Sequence, residues 1–453
     1  MGFRNNLVAS LLALGLAIPA AGGAQAQSIT QALTNAYEHA PDLQAALLSA
    51  KASAENIALA QAAKRPVIGA SLGGSYDFSM ATNNQWSDSE TWTAGLSYRQ
   101  NIFDSFKTEA QIEGARAAAE AAEYQIRNTE QNVLLEVVKA YMSVLSDRQM
   151  VALRQENMAF FRAQLQSARD RLEVGEGTRI DVAQAEARLA QGEATYRAAQ
   201  SSLEISQATF QRYVGAVPGN LDAGHNFARL IPASLQAAIS EAEIGHPAIM
   251  LSKAAIRAAQ AGVDAAQAAG GPSASLTGSL GTSYNTVRGG SGLNGSLGFS
   301  FTVPLYSGGS IGASVRKANI EQIKSEVDAM SAYDQVRAAV IAAWAGIQSA
   351  DAQISATNAS VSASRTVLDG VVQERDLGSR TTLDVLNAQA DLTTARESYI
   401  TASSNKVVAT FSLLAAMGRL TASDLGLNVE IKSAARYTQA VEDVWQELRS
   451  VAE

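Results

Sequence analysis

Two stretches of the chain, Val174–Leu189 and Leu377–Leu392, are near copies of each other, VGEGTRIDVAQAEARL beside LGSRTTLDVLNAQADL. Gly175 recurs as Gly378, Thr178 as Thr381, Asp181 as Asp384, Ala185 as Ala388 and Leu189 as Leu392, always 203 positions on. Solenoid repeats are only about 20–50 residues long, so a shift of this size means two copies of one large unit. Whatever that unit folds into, the molecule holds it twice. A Gly turn followed by Thr and Asp stands at the same place in both copies.

Each half reads in the same order: short helix, longer helix, two strands, very long helix, long helix. Residues 29–39 and 42–64 have helical periods separated by Ala40-Pro41, and 235–244 and 248–268 by His246-Pro247. Proline readily starts a helix and drives the preceding residue out of helical geometry. From Phe106 to Leu172 there is no proline and one glycine, Gly114. At 1.5 Å per residue that stretch makes a rod of about 100 Å. Residues 178–214 follow as a second helix of about 55 Å, and 311–377 with 381–417 repeat the pair. Such lengths belong to coiled coils or helical tubes rather than compact domains. The seam positions are mostly small or aliphatic (Ala115, Ala118, Ala122, Val133 and Val137, with Tyr141 the aromatic exception), which lets helices approach closely.

Between the helices the period changes from 3.6 to 2. Ile68, Ala70, Leu72, Tyr76 and Phe78 alternate with Gly69, Ser71, Gly73, Ser75 and Asp77. Trp92, Ala94, Leu96 and Tyr98 alternate with Thr93, Gly95, Ser97 and Arg99. The second half repeats the pattern through Leu276, Leu280, Tyr284, Leu293, Leu297, Phe299 and Phe301. Each run is long enough to cross a membrane as a tilted strand, with polar loops expected at 79–90 and 285–292. Aromatics gather near the run ends (Trp86, Trp92, Tyr284, Tyr306). A water-soluble antiparallel sheet with one buried face has the same alternation. The mostly small polar face favours a lumen lining. Four strands close no barrel, and unpaired edges are not tolerated in lipid, so membrane strands here require an oligomer with a shared barrel.

The N-terminus reads as an export signal: Arg4, an apolar stretch over Leu7–Ala20, and Ala24-Gln25-Ala26 as a cleavage site. The net charge of −8 argues against nucleic acid as a partner. With no cysteine, thiolate metal sites, disulfides and lipid attachment at an N-terminal Cys are excluded. His39, His225 and His246 are scattered beside prolines or loops, and no Ser/His/Asp arrangement has supporting context. No cofactor, metal or enzymatic activity is expected.

Strand pairs inserted into Ala-rich helical hairpins, duplicated behind an export signal, resemble the TolC family of outer-membrane channel-tunnels. The residues that carry the resemblance are Val303-Pro304-Leu305-Tyr306-Ser307-Gly308-Gly309, the run Gly378 to Ala388, and Gly418 closing the last helix. The resemblance implies an α+β membrane protein, a homotrimer whose four strands per subunit make a 12-stranded β-barrel continued by an α-helical barrel in the periplasm. Implied partners are a periplasmic adaptor protein, an inner-membrane ABC or RND transporter, and outer-membrane lipid. The implied function is the exit duct of an efflux pump or a type I secretion system. A trimeric coiled-coil adhesive or structural protein with a β anchor is the alternative.

Under this resemblance, Asp181 and Arg380 match a linking pair between the two hairpin turns, and Asp384 matches the upper carboxylate of a constriction ring. The lower ring position is Asn387, a departure that weakens cation selectivity. Gly175, Glu176, Gly177, Gly378 and Ser379 match adaptor-contact turns. Plain structural roles are also open: Asp181 and Asp384 as helix N-terminal carboxylates, the glycines as C-caps, Arg380 as a surface charge. In the first repeat Asn101-Ile102-Phe103-Asp104-Ser105 departs from the Pro and Gly-Gly pattern, so a different bend is expected there. The resulting division is signal peptide 1–26, first repeat 27–217, linker 218–232, second repeat 233–418 and C-terminal segment 419–453. That last segment is expected to end in an amphipathic helix carrying Val441, Val444, Trp445 and Leu448.

Overall fold

The computed structural model describes residues 27–80, 86–222, 224, 227–286, 290–442 and 444. The export signal, His225, Trp445 and Leu448 lie outside the described residues. The chain runs α1 (Ile29–His39), α2 (Pro41–Ala62), β1 (Val67–Met80), β2 (Trp86–Phe103), α3 (Lys107–Glu173) and α4 (Arg179–Val214). The second repeat follows as α5 (Leu235–Gly245), α6 (Pro247–Ala268), β3 (Ser273–Asn285), β4 (Gly290–Thr302), α7 (Ser310–Asp376) and α8 (Thr382–Ala416), then α9 (Ala435–Glu442). Both α3 and α7 have 67 residues. Ser28 and Ser234 cap α1 and α5, and Pro41 and Pro247 stand at the first turns of α2 and α6.

The strands form one antiparallel sheet in the order β1-β2-β3-β4. Its register is what sorts the side chains. Leu72 lies opposite Ala94, Ala94 opposite Thr282, and Thr282 opposite Leu293; Leu96 faces Leu280, and Leu276 faces Phe299. Because opposed residues share a face, the apolar sets of all four strands fall on one side. Gly, Ser and Thr fall on the other, with Asp77 and Arg99. The apolar side is bare: Leu72 is 81% exposed and Leu297 79%. Strand pairing extends further than expected, through Phe78↔Asp88 to Met80↔Trp86, so polar residues of the expected 79–90 loop belong to the ladder. Backbone pairing outlasts the apolar alternation because each added pair satisfies its own N–H and C=O groups.

The bend from β2 into α3 corrects the expectation of a different turn. Ser105 and Phe106 adopt φ of 56° and 68°, close to their repeat mates Gly308 at 59° and Gly309 at 81°. The backbone path is kept, and two side chains are forced into left-handed geometry, which costs about 1–2 kcal/mol per residue. Local contacts hold them there. Ser105 Oγ donates to the Pro272 carbonyl at 2.7 Å, Asp104 accepts from Thr108 N at 3.1 Å, and Phe106 meets Phe103 edge-on at 5.9 Å. Gly271 leaves the room that Ser105 fills. Phe106→Gly is expected to raise stability by about 1 kcal/mol, read as a higher urea midpoint.

The main core lies below the sheet, where both repeats meet. Leu33, Leu43, Leu134, Val137, Tyr141, Phe210, Phe411 and Leu414 are all fully buried. Tyr141 joins distant segments: its hydroxyl lies 2.6 Å from the Gln27 carbonyl and accepts from Asp222 N–H at 2.9 Å. The C-terminal segment is strapped over α3 by three side chains at heptad spacing. Glu130 accepts from Ala422 N–H (2.6 Å), Glu123 from Ala434 N–H (2.8 Å), and Arg116 donates to Glu442 (3.0 Å). Burial pushes the Glu130 carboxyl above its ordinary range, opposed by the Ala422 N–H and Arg127. Of the expected C-terminal amphipathic helix, the described part is α9. Val441 is buried within α9, but Val444 lies past its end, where its carbonyl accepts from Arg65 at 2.7 Å.

Candidate functional site at the hairpin tips

Each long hairpin ends in the same turn. Gly175 and Gly378 have φ of 81° and 80°, conformations that favour glycine. Glu176 N–H reaches back to the Arg171 carbonyl at 2.8 Å, and Ser379 N–H to the Glu374 carbonyl at 2.9 Å. These 6→1 bonds close α3 and α7 in Schellman form. The next helix then starts with a reciprocal capping box. Thr178 N–H donates to Asp181 at 3.0 Å while Asp181 N–H donates to Thr178 Oγ1 at 3.2 Å. Thr381 and Asp384 repeat this at 2.9 and 3.2 Å. The two recurring aspartates are therefore caps first. The Thr381 backbone and side chain, with Arg380 adding less, hold the Asp384 carboxyl below the usual carboxylate range.

Within one chain Asp181 and Arg380 do not meet. Arg380 Nε is paired with Glu374 at 2.8 Å, six residues back on its own hairpin. Asn387 accepts from Arg188 of α4 at 2.7 Å. The bonds that cross between the hairpins near the tips fall on residues that the repeat did not single out. Arg171 meets Asp376 at 3.2 Å, and Arg375 donates to Gln164 at 2.7 Å. Flanking both turns, Val174 and Ile180 are 71% and 68% exposed; their repeat mates Leu377 and Leu383 are 86% and 36% exposed.

Farther from the tips, α3 and α8 share a buried polar cluster. Asn157 Oδ1 accepts from Gln389 Nε2 at 3.1 Å and lies 3.1 Å from Thr393 Oγ1. All three side chains belong to residues under 10% exposed. The Thr393 hydroxyl has one proton to give, shared with the Gln389 carbonyl at 2.9 Å, and takes one from Gln389 Nε2 at 3.3 Å. Two ion pairs of opposite sense flank the cluster: Arg154–Glu397 at 2.6 Å and Arg396–Glu156 at 2.9 Å. Leaving a buried polar group unpaired costs about 1–3 kcal/mol. Between this cluster and the tips, Leu386 of α8 is fully buried against Phe161, Leu165 and Ala168 of α3. No spacing rule reaches this cluster, because its members come from helices more than 230 positions apart; a buried Asn in mid-helix was the one local signal.

A family profile described as "Outer membrane efflux protein" matches residues 32–216 and again 238–419, once per repeat. The chain belongs to this family. It is similar to the outer membrane efflux protein BepC of Brucella suis biovar 1, with 37% identity over 98% of this chain and 97% of that one. The outer membrane protein TolC of Escherichia coli K12 is 25% identical over 88% of this chain and 84% of its own. In fold, the outer membrane channel CmeC of Campylobacter jejuni superposes with a TM-score of 0.74, at 17% identity, covering 92% of this chain and 89% of that one. Membership of the efflux family places the sheet in the outer membrane and the long helices in the periplasm, as an exit duct.

Proposed function

We propose that three copies of the chain close head to tail into one passive conduit, without a catalytic step, and that its periplasmic end opens on docking. The observation that carries this reading is that the sheet and the helices end at matching places. The sheet runs β1-β2-β3-β4 with β1 and β4 at its edges, and the upper helices are packed in the order α2, α3, α6, α7. The two end helices bear bare apolar side chains: Leu48 and Leu59 on α2, and Ile320, Ile323, Val327 and Met330 at heptad spacing on α7. A head-to-tail contact puts β4 beside β1 and α7 beside α2 of the next copy, and it repeats until the ring closes. Closure removes the sheet edges that lipid does not tolerate. Twelve strands leave a lumen, lined here by Ser, Thr and Gly, while the apolar face meets lipid.

At the other end, the bare Val174, Ile180, Leu377 and Leu383 beside Gly175, Glu176, Gly177, Gly378 and Ser379 fit an adaptor protein linked to an inner-membrane transporter. Asp384 lines the constriction in this reading. Asp181 and Arg380 act between neighbouring copies, and Asn387 brings the Arg188 cation to the lower level. The efflux name of the BepC relative favours small-molecule export.

Purified protein in planar bilayers tests the reading: a mass of three copies and discrete single-channel steps are expected, and no pore at all would overturn it. The selectivity of the same pore tests Asp384. Cation preference in reversal potentials is expected to weaken in Asp384→Asn. Preference unchanged in Asp384→Asn would remove Asp384 from the constriction.

A further inference from the structure

We propose that Arg99 makes the base of the barrel an anion-binding ring, three guanidinium groups around the exit path that hold multivalent anions such as phosphorylated solutes. This rests on the conduit reading above. The strand register sets Arg99 opposite Val67 and Thr277, and Thr277 opposite Gly298. Opposed residues share a face, so Arg99 belongs to the small, polar side of the sheet. That side is otherwise almost without charge: among the described strand residues only Asp77 joins Arg99 there. The other two charged strand residues, Asp88 and Glu90, lie opposite Phe78 and Tyr76 on the apolar side. Arg99 is exposed and has no hydrogen-bond or ion-pair partner among the described residues. Asp104, the carboxylate nearest to it in sequence, is taken up by Asn101 at 3.4 Å and by Thr108 N–H at 3.1 Å.

Magnitudes decide what one cation per chain does there. Twelve strands about 4.8 Å apart and tilted by about 40° enclose a backbone radius of about 12 Å. An arginine reaching about 6 Å inward brings its charge within a Debye length of the axis, about 8 Å at physiological salt. Three such charges stand about 10 Å from one another, and an anion between them is within the field of all three. Each guanidinium also offers a planar fork of N–H donors that matches phosphate or carboxylate oxygens. Asp77 lies ten residues along β1 from Val67, which sets its ring about 25 Å nearer the outer mouth. That is about three Debye lengths, so the two rings act separately. The duplication shows that closing the barrel does not require the cation. The position 203 on from Arg99 is Thr302, an uncharged residue on the same polar side.

Inorganic tripolyphosphate, titrated calorimetrically into the purified full-length protein in neutral detergent at low salt, tests the ring. One ion per three chains is expected, because one ring serves the whole assembly. Arg99→Ser and the longer neutral Arg99→Gln are each expected to weaken binding at least about ten-fold. Arg99→Lys keeps the charge but loses the fork, and is expected to bind within about three-fold of the parent. Asp77→Asn is expected to stay within about two-fold, since its ring lies beyond the screening length. Binding that survives both neutral variants, a stoichiometry of one ion per chain, or no binding by the parent would each overturn the proposal. A parent that is not trimeric, or that forms no pore in planar bilayers, marks failure of the conduit reading instead. Trimer mass and melting of each variant, measured in parallel, separate loss of the anion site from loss of assembly.

Discussion

Leu72→Arg is expected to cost about 2–4 kcal/mol of assembled stability in lipid, whereas Ser71→Arg, one residue away, is expected to cost little. Leu72 stands on the face shared with Ala94, Leu96, Leu280 and Leu297, 81% exposed in the single chain. A charge there has to be buried in hydrocarbon near mid-strand. Ser71 lies on the Gly, Ser and Thr face opposite Gly95, where an Arg side chain extends into the lumen. Leu297→Arg is expected to match Leu72→Arg, because the register places both on the same side of the sheet. Urea unfolding of the protein in vesicles measures the difference. Equal losses at 71 and 72 would mean that the sheet does not present its apolar face to lipid.

The second large effect lies far from the membrane face. Phe411→Ala is expected to destabilise the protein by about 3–5 kcal/mol, the cost of a lost aromatic and the cavity left behind. Phe411 is fully buried and meets Phe227 of the inter-repeat linker edge-on at 5.3 Å. It belongs to the same core as Tyr141 and Phe210, which come from the first repeat. Removing it loosens the contact between repeats as well as α8 itself. Ile205→Ala, at a position 66% exposed, is expected to stay within about 0.5 kcal/mol of the parent. Chemical denaturation of both variants checks the contrast; similar midpoints would show that the two repeats are held together elsewhere.

Much of the architecture was legible because it rests on local periodicity. A period of 3.6 over more than sixty residues without proline has few outcomes other than a rod, and alternation of apolar with small polar residues has few other than a strand. The helix caps were equally legible, since Thr178 with Asp181 and Thr381 with Asp384 sit at the spacing that a capping box needs. Where reading by motif erred, the cause was physical. The β2–α3 bend lacks the Gly-Gly of its repeat mate, yet the backbone follows the same path, because contacts from Asp104, Ser105 and Phe103 compensate for left-handed Phe106.

The linking contacts were the least legible part. Arg380 was singled out by the family resemblance, but its partner within the chain is Glu374. The contacts that join the hairpins fall on Arg171, Arg188 and Asn157, residues with no repeated counterpart of the same kind.

The duplication, the long rods, the four strands and the need for other copies to cover the sheet edges were determined by the amino-acid sequence itself. Each follows from a pattern that one segment carries alone, or from the rule that backbone groups in lipid must be paired. Only the tertiary structure decided the register that gathers the apolar residues on one face, and the pairing of α3 with α8 through Asn157. Both depend on which residues meet across segments distant in the chain. Local periodicity says which side of an element is apolar; it carries no information about which residue of another element comes to rest against it. For the repeated Gly, Thr and Asp that first revealed the two halves, the sequence marked the place, and the fold showed them to be caps that hold the tips in shape.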